Sequence, residues 1–545
     1  MLRAKKVFQR KYVYPFILSV FAAFLFSFSS SQVTSSANKS FGEIALKESV
    51  VPIHPGEPGK TPFWNMHAHQ FIYAPAFDYK MVDKATKYRY KIVSLNNASQ
   101  YTFESKIPYA ALSPVWASVP VGYFNLEVTG LSEKGDSLGV AGKGKYYRAA
   151  TFNGPYYEPV MAYDKSARIA LDNLLKKDYV EYWLKHKEPD PSYVNYRYPS
   201  KIYGALVIGA ITHAQLKPGT ADAKRSKELA IILADYMLSI RFKEGTPWEY
   251  HVPTYYGERS VNPPKPHLHI SNHFTVMGVD AGNAFLDLYD FTGDKKYFEA
   301  AKRIADTYLK NQLDNGSWYQ FVKHETGKPT AENITIPTSI INYFDRLRND
   351  YKVGGLENST ARAFKWIMEN PVKTWDWQGQ FEDVFARPPY VNLSREQACD
   401  LAIYLFKNKK DFKLAEELIR FAEDQFVIWE KPVNIAYQEP RPGGNSKNWI
   451  TPSVQEQYVF WMPIGRAAGI MVETFWQAYV ATKKEIYLAK AKSIANTFTK
   501  VQKENNGDYP TFFTKYPMNL WLNSTVYPAK VLMTLENNLN KFKKA

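Results

Sequence analysis

Cysteine is almost missing from this chain: Cys399 is the only one among 545 residues. No intramolecular disulfide can form, and no four-cysteine zinc site can be built. The N-terminal region has none, which excludes lipoprotein-type acylation there. Nucleic-acid signatures are missing too: no helix-turn-helix pattern, zinc finger or RNP-like strand occurs, so no nucleic-acid partner is expected. The Gly-Gly loop in "PRPGGNSKNW" lacks the glycine spacing and the Lys-Ser/Thr ending of a phosphate loop. Nor does the composition read as disordered, with charged residues at 22% against 45% hydrophobic.

Aromatic residues are abundant instead, at 16% of the chain, with 39 Tyr, 33 Phe and 13 Trp. A flat apolar ring complements the C–H face of a pyranose, although most such rings in a folded chain are core. The net charge is +16. Arg3, Lys5, Lys6, Arg10 and Lys11 precede the uncharged run "YVYPFILSVFAAFLFSFSS", and "SSSQVTSSANKS" follows it. This basic, then apolar, then small-polar order makes residues 1–31 an export signal, with an apolar run long enough to stay as an anchor. We therefore expect a periplasmic or secreted protein with no stable membrane partner beyond that signal. A basic exported protein is expected to meet an acidic polysaccharide sooner than genomic DNA. The length calls for two domains and a core large enough to replace disulfides.

Residues 32–60, rich in Ser, Pro and Gly, are expected to form a linker. From 61 to 154 the apolar period is two. "YRYKIV" alternates Tyr88, Tyr90 and Ile92 with Arg89 and Lys91, and "FNLEVT" alternates Phe124, Leu126 and Val128 with polar residues. Turn residues such as "SEKGDS" follow, which predicts a small β-sandwich, fibronectin-like in pattern. From 155 to 545 the period is helical. "MGVDAGNAFLDLYDFTGDKKYFEAAKRIADTYLKNQLDNGSW" reads as two helices turning at "FTGD" and ending at Asn315-Gly316. "GIMVETFWQAYVATKKEIYLAKAKSIANTFTKVQKENNGDYPTF" repeats it. Hairpins recurring every 45 residues or more, with about twelve candidate helices, mean an array, and closure into a ring would remove its exposed ends.

These hairpins, with their "TGD" turns and "DNGSW/NNGDY" endings, resemble the (α/α) toroids of carbohydrate-active enzymes over roughly residues 160 to 540. That group includes polysaccharide lyases, unsaturated glucuronyl hydrolases and uronyl C5-epimerases. The resemblance implies a mainly α fold, an (α/α) toroid of about six hairpins behind the β-domain. It implies a mouth at one end of the ring, where the post-turn aromatics Trp248, Trp318 and Tyr509 are expected as sugar-stacking platforms. The alternative is that these rings plug the ring as packing.

The densest cluster of reactive side chains is "EYHVPTYYGERSVNPPKPHLHISNHF", which holds four of the ten histidines. A Pro-rich loop opening a helix near Asn272 is expected to wall the active site. If the substrate is a uronate, its carboxylate must be neutralised, its C5 proton removed and its departing O4 protonated. We expect His273 or His251 as base and Tyr256 or Tyr198 as acid, each supplying roughly 10² to 10⁴-fold. Arg259, Asn272, Arg441 and Asn448 are expected as carboxylate or sulfate ligands, with Tyr458 also expected to bind substrate. Tyr and His commonly fill the acid and base roles in toroid lyases and C5-epimerases, which agrees with this assignment. No metal or cofactor is required, and a structural zinc or calcium stays open. His267, His269 and His273 are the zinc alternative, and His67 and His69, with the same spacing, fit a docking role better. A hydrolase would instead need two carboxylates across the cleft, for which Glu249, Asp280, Glu382, Asp383 and Glu456 are available.

The expectation is therefore β-elimination on an acidic polysaccharide. A chain rich in Lys, Asn, Phe and Tyr suggests a marine bacterial source, and so a sulfated algal uronan such as ulvan, or alginate. The alternatives are a glycoside hydrolase or uronyl C5-epimerase on the same scaffold, or a non-catalytic glycan-binding protein.

Overall fold

The computed structural model describes residues 41–54, 68, 70–261, 264–266, 269–382, 392–433, 445–458 and 460–544. Residues 1–40, which hold the expected export signal, lie outside this set, as do His67, His69, His267, Asp383 and Arg441. The Arg259 side chain is outside it as well.

The expected alternation produces strands β1 (Lys87–Ser94), β2 (Gln100–Ser105), β3 (Gly122–Leu131) and β4 (Ser137–Arg148), all antiparallel in the order β2-β1-β3-β4. Tyr88, Tyr90 and Ile92 share a buried face with Phe124, Leu126 and Val128, while Arg89 and Lys91 face solvent. Among the described residues this is one sheet, not the two-layered sandwich expected. Period-2 patterning says that one face is covered but not what covers it. Here the cover is irregular chain carrying Phe71 and Phe77, together with Trp116 of the short helix Ser113–Trp116. Within the expected linker, residues 41–49 are helical.

The helical region runs α1 (Tyr163–Leu174), α2 (Asp178–His186), α3 (Gly204–Leu216), α4 (Ala221–Ile240), α5 (Gly278–Thr292), α6 (Lys295–Asn311), α7 (Thr338–Tyr351), α8 (Glu357–Ile367), α9 (Glu396–Lys407), α10 (Phe412–Phe426), α11 (Gly465–Thr482), α12 (Glu485–Glu504) and α13 (Asn523–Lys544). Helices α3, α5, α7, α9, α11 and α13 each pack on the next, and α13 returns to α3, so six inner helices close a ring. Five of them form hairpins with the outer helix that follows. The sixth hairpin pairs α13 with α1, the two ends of the helical region, and this pairing locks the ring shut. This is the (α/α) toroid expected from the repeat.

Composition separates the two layers. Inner α3, "GALVIGAITHAQL", is buried almost all round. Outer α6 buries only one stripe, Tyr297, Ala300, Ala301, Ile304, Ala305 and Tyr308, and leaves its charges in water. At "FTGD", Gly293 takes the left-handed C-terminal position (φ +75°) that glycine adopts without strain, and the Asp294 side chain accepts from Lys296 N to cap α6. Small residues let inner helices approach: a Cβ on Gly282 of α5 would lie 2.5 Å from the Tyr343 hydroxyl of α7. The sheet region is fastened to outer α10, where Asp424 accepts from the backbone N–H groups of Ile72 (2.6 Å) and Tyr73 (2.8 Å).

Candidate active site

All six inner helices start at the same end of the ring, and the chain segments leading into them build a mouth there. Inside lies a bore of about 1310 Å³. Its contents follow from helix register. At 1.5 Å per residue, side chains in the first turn of an inner helix sit at the mouth and those near the tenth position sit roughly 13 Å deeper.

The rim is aromatic. Tyr198, Phe381, Phe460 and Trp521 line it, half-buried, with the better buried Phe274 beside them. Tyr198, Phe274, Phe460 and Trp521 lie just upstream of the first residues of α3, α5, α11 and α13. Below the rim come ion pairs and amides: Lys201 with Glu382, Arg466 with Glu396, then Gln397, Glu456, Gln457 and Asn523. Asp280, the third residue of α5, stands among them. No hydrogen bond holds its carboxylate among the described residues. Burial pushes its pKa up to about 6, against the pull of Arg466 and Lys201 and with help from Glu382. One turn into α9, burial with Glu473 and Asp280 nearby lifts Asp400 to about 7. Both carboxylates are half-buried on the wall of the bore, where the surrounding protein disfavours their charged forms.

A charged crossbar lies deeper. Asp287 of α5 accepts from Arg346 of α7 (2.7 Å) and from Lys530 of α13 (2.6 Å). Helices α7 and α13 stand opposite each other in the ring, so this triad spans the bore. Burial alone would raise the Asp287 pKa, but Lys530 and Arg346 outweigh it and hold the carboxyl below its ordinary value.

Of the residues expected from sequence as base, acid or ligand in an elimination, Tyr198 alone lines the bore among those described. His251 and His273 lie in the core with no exposed surface. The Ile304 carbonyl can only accept, so His251 Nε2 carries a proton and donates to it (3.2 Å). His251 Nδ1 then accepts from His273 Nε2 (3.1 Å). Both rings are neutral: burial pushes His251 down to about 3 and His273 well below its ordinary value. Tyr256 sits on the outer side, beside Tyr236 of α4. Asn272 is buried with its amide 3.4 Å from His269 Nδ1, and Asn448, half-buried, lies away from the bore.

The platform residues are core. Trp248 packs on His251 and His273, and Trp318 donates Nε1 to the Tyr308 carbonyl (2.9 Å). Tyr509 bonds Ser166 Oγ (2.7 Å), and Tyr458 donates to Gln425 (2.5 Å). The physical reason is position. The Asn-Gly turns follow outer helices, so their rings wedge between the two helical layers before the chain reaches the mouth. From the carboxylate set proposed for a hydrolase, Asp280, Glu382 and Glu456 line the bore. Glu249 does not, pairing instead with Lys310.

Sequence reasoning missed Glu396 and Asp400 of α9 and Arg466 and Glu473 of α11, charges carried by otherwise largely apolar inner helices. Among the described residues no group of three or more His, Cys, Asp and Glu is placed to hold a metal ion, and no helix is long and apolar enough to cross a membrane.

No family model matches the chain, and neither does any curated protein. Several solved structures share its general shape. A family 76 glycoside hydrolase from a bovine Bacteroides thetaiotaomicron strain aligns at 13% identity over 85% of this chain and 94% of its own, with a TM-score of 0.46. Cellobiose 2-epimerase from Spirochaeta thermophila DSM 6192 aligns at 12% identity over 68% of this chain and 98% of its own, with a TM-score of 0.42. A polysaccharide lyase aligns at 10% identity over 85% of this chain and 64% of its own, with a TM-score of 0.39. These are distant likenesses, and none assigns a reaction.

Proposed function

We propose that the protein is an exported carbohydrate-active enzyme that takes a glycan into the bore and hydrolyses a glycosidic bond with carboxylates. The observation that carries this reading is that Asp280 and Glu382 line the same bore, close enough for the charge of one to bear on the other. Glu382 is ion-paired to Lys201, and its charge helps burial keep the proton on Asp280. Two neighbouring carboxyl groups in unequal surroundings divide the work. Asp280 donates a proton to the leaving oxygen, and Glu382 assists the attack at the anomeric carbon. The rim rings Tyr198, Phe381, Phe460 and Trp521 stack on sugars outside the cut. The Arg346–Asp287–Lys530 crossbar obstructs the bore part-way along its length, which favours a chain terminus over a chain interior.

Elimination needs a base beside a neutralised uronate. No histidine lines the bore among the described residues, and the mouth-side cations Lys201 and Arg466 already hold carboxylates. Export remains part of the proposal, on the strength of the N-terminal segment.

The test is incubation of the purified protein with neutral glycans (mannan, xylan, β-glucan) and acidic ones (ulvan, alginate, pectin). New reducing ends without the ultraviolet absorbance of an unsaturated uronate are expected. Accumulation of that absorbance would overturn hydrolysis in favour of elimination.

A further inference from the structure

We infer that the sugar unit held below the rim carries no acid group, so that the substrate is a neutral or amino-substituted glycan in spite of the chain's basic charge. This rests on the reading of the bore as a glycan site. The charge of the whole chain and the charge of its cavity point in opposite directions. The chain is +16, yet the described residues lining the bore include nine Asp and Glu against five Lys and Arg. Of those five cations, Lys201, Arg466, Arg346 and Lys530 each hold a carboxylate, and the fifth, Lys407, is exposed at the far end of α9. An incoming carboxylate or sulfate would have to displace one of these partners.

A second observation is independent of charge. Three side chains that line the bore, each only 7% exposed, have an oxygen with no hydrogen-bond partner: Glu382 Oε2, Gln457 Oε1 and Asn523 Oδ1. A buried polar atom left unpaired costs stability, so three around one cavity are read as waiting for a ligand. All three are acceptors and call for donors, while a fourth unpaired atom on the bore, Ser339 Oγ, can either donate or accept. Sugar hydroxyl groups supply donors, an ammonium supplies stronger ones, and an ionised carboxylate or sulfate supplies none. Glu382 takes part twice, holding Lys201 with one oxygen and leaving the other to the sugar.

The test uses the full chain and simple probes. Melting temperature is measured with mannose, glucose, glucosamine and sodium glucuronate, each at about 100 mM, where even a millimolar site stabilises by mass action. Sodium chloride serves as the salt control. The melting point is expected to rise with glucosamine and with at least one neutral hexose, and to stay at the salt control with glucuronate. Gln457→Ala and Asn523→Ala should abolish that rise while leaving the unliganded melting point unchanged or slightly higher, since each removes an unpaired acceptor. A purely structural role would show the reverse: a lower unliganded melting point and an intact response. A rise with glucuronate alone overturns the inference, and so does no rise with any sugar. Either result leaves the hydrolysis reading to be judged separately, by its products.

Discussion

Replacing Asp400 by Asn tests whether the bore holds its carboxylates in a state that costs stability. Burial, with Glu473 and Asp280 beside it, moves the Asp400 carboxyl from its ordinary 3.8 up to about 7. In the unfolded chain the group gives up its proton near pH 4, whereas in the folded protein it keeps the proton until pH reaches about 7. Below the lower value both states are protonated and the site costs nothing. As pH rises through the gap the folded state binds the extra proton, so stability falls by about 1.4 kcal/mol per pH unit. Above the upper value the whole cost is present, with a ceiling of roughly 4 kcal/mol that water in the bore reduces. Asparagine fits the same space and cannot ionise. Asp400→Asn should therefore melt higher than the wild type at pH 8, by roughly 2 to 4 °C, and the gain should shrink at pH 5. Differential scanning fluorimetry of both proteins at the two pH values reads this directly. A variant that is less stable at pH 8, or equally shifted at both pH values, would refute the reasoning.

Two contrasts separate core from site. Trp318→Ala should cost about 3 to 5 kcal/mol in unfolding free energy, because it empties a fully buried position, and should leave KM of the surviving folded enzyme unchanged. Trp521→Ala should do the opposite, leaving the melting point within a degree or two while raising KM for a polymeric substrate roughly tenfold, equivalent to about 1.4 kcal/mol of lost binding. Lys530→Met breaks the crossbar on one side while Arg346 still holds Asp287. Chromatography of its products should show fragments from chain interiors where the wild type releases units from chain ends.

The ring could be read from the sequence because the hairpins join an apolar inner helix to an amphipathic outer one across a tight turn, most plainly at "TGD", with its left-handed glycine and Asp cap. Lys483 takes that left-handed position in the α11–α12 hairpin, so the repeat survives there without glycine. The sandwich could not be read with the same security, since alternation in β1 and β3 demands a buried face and is silent on its partner. The site was the hardest part. Histidines crowded between 251 and 273 stand out in a linear reading, yet two of them sit behind α5 bonded to each other. Asp280 is legible in the sequence as one carboxylate among several, whereas Glu396, Asp400 and Glu473 stand out only after the inner helices have been bent into a circle. Before that, they are unremarked polar residues within inner-helix segments. Apart from Phe381, the aromatic rim obeys a rule visible in retrospect: its rings come just before an inner helix, whereas the Asn-Gly turns come just after an outer one.

The account stands on Asp280 and Glu382 acting on a sugar in the bore. The most direct measurement is kcat/KM of Asp280→Asn and Glu382→Gln on whichever glycan the wild type cuts, with melting temperature followed in parallel. Losses of roughly 10² to 10⁴-fold in each variant at an undiminished melting point are the predicted result. Activity within a few-fold of wild type in either variant would contradict it.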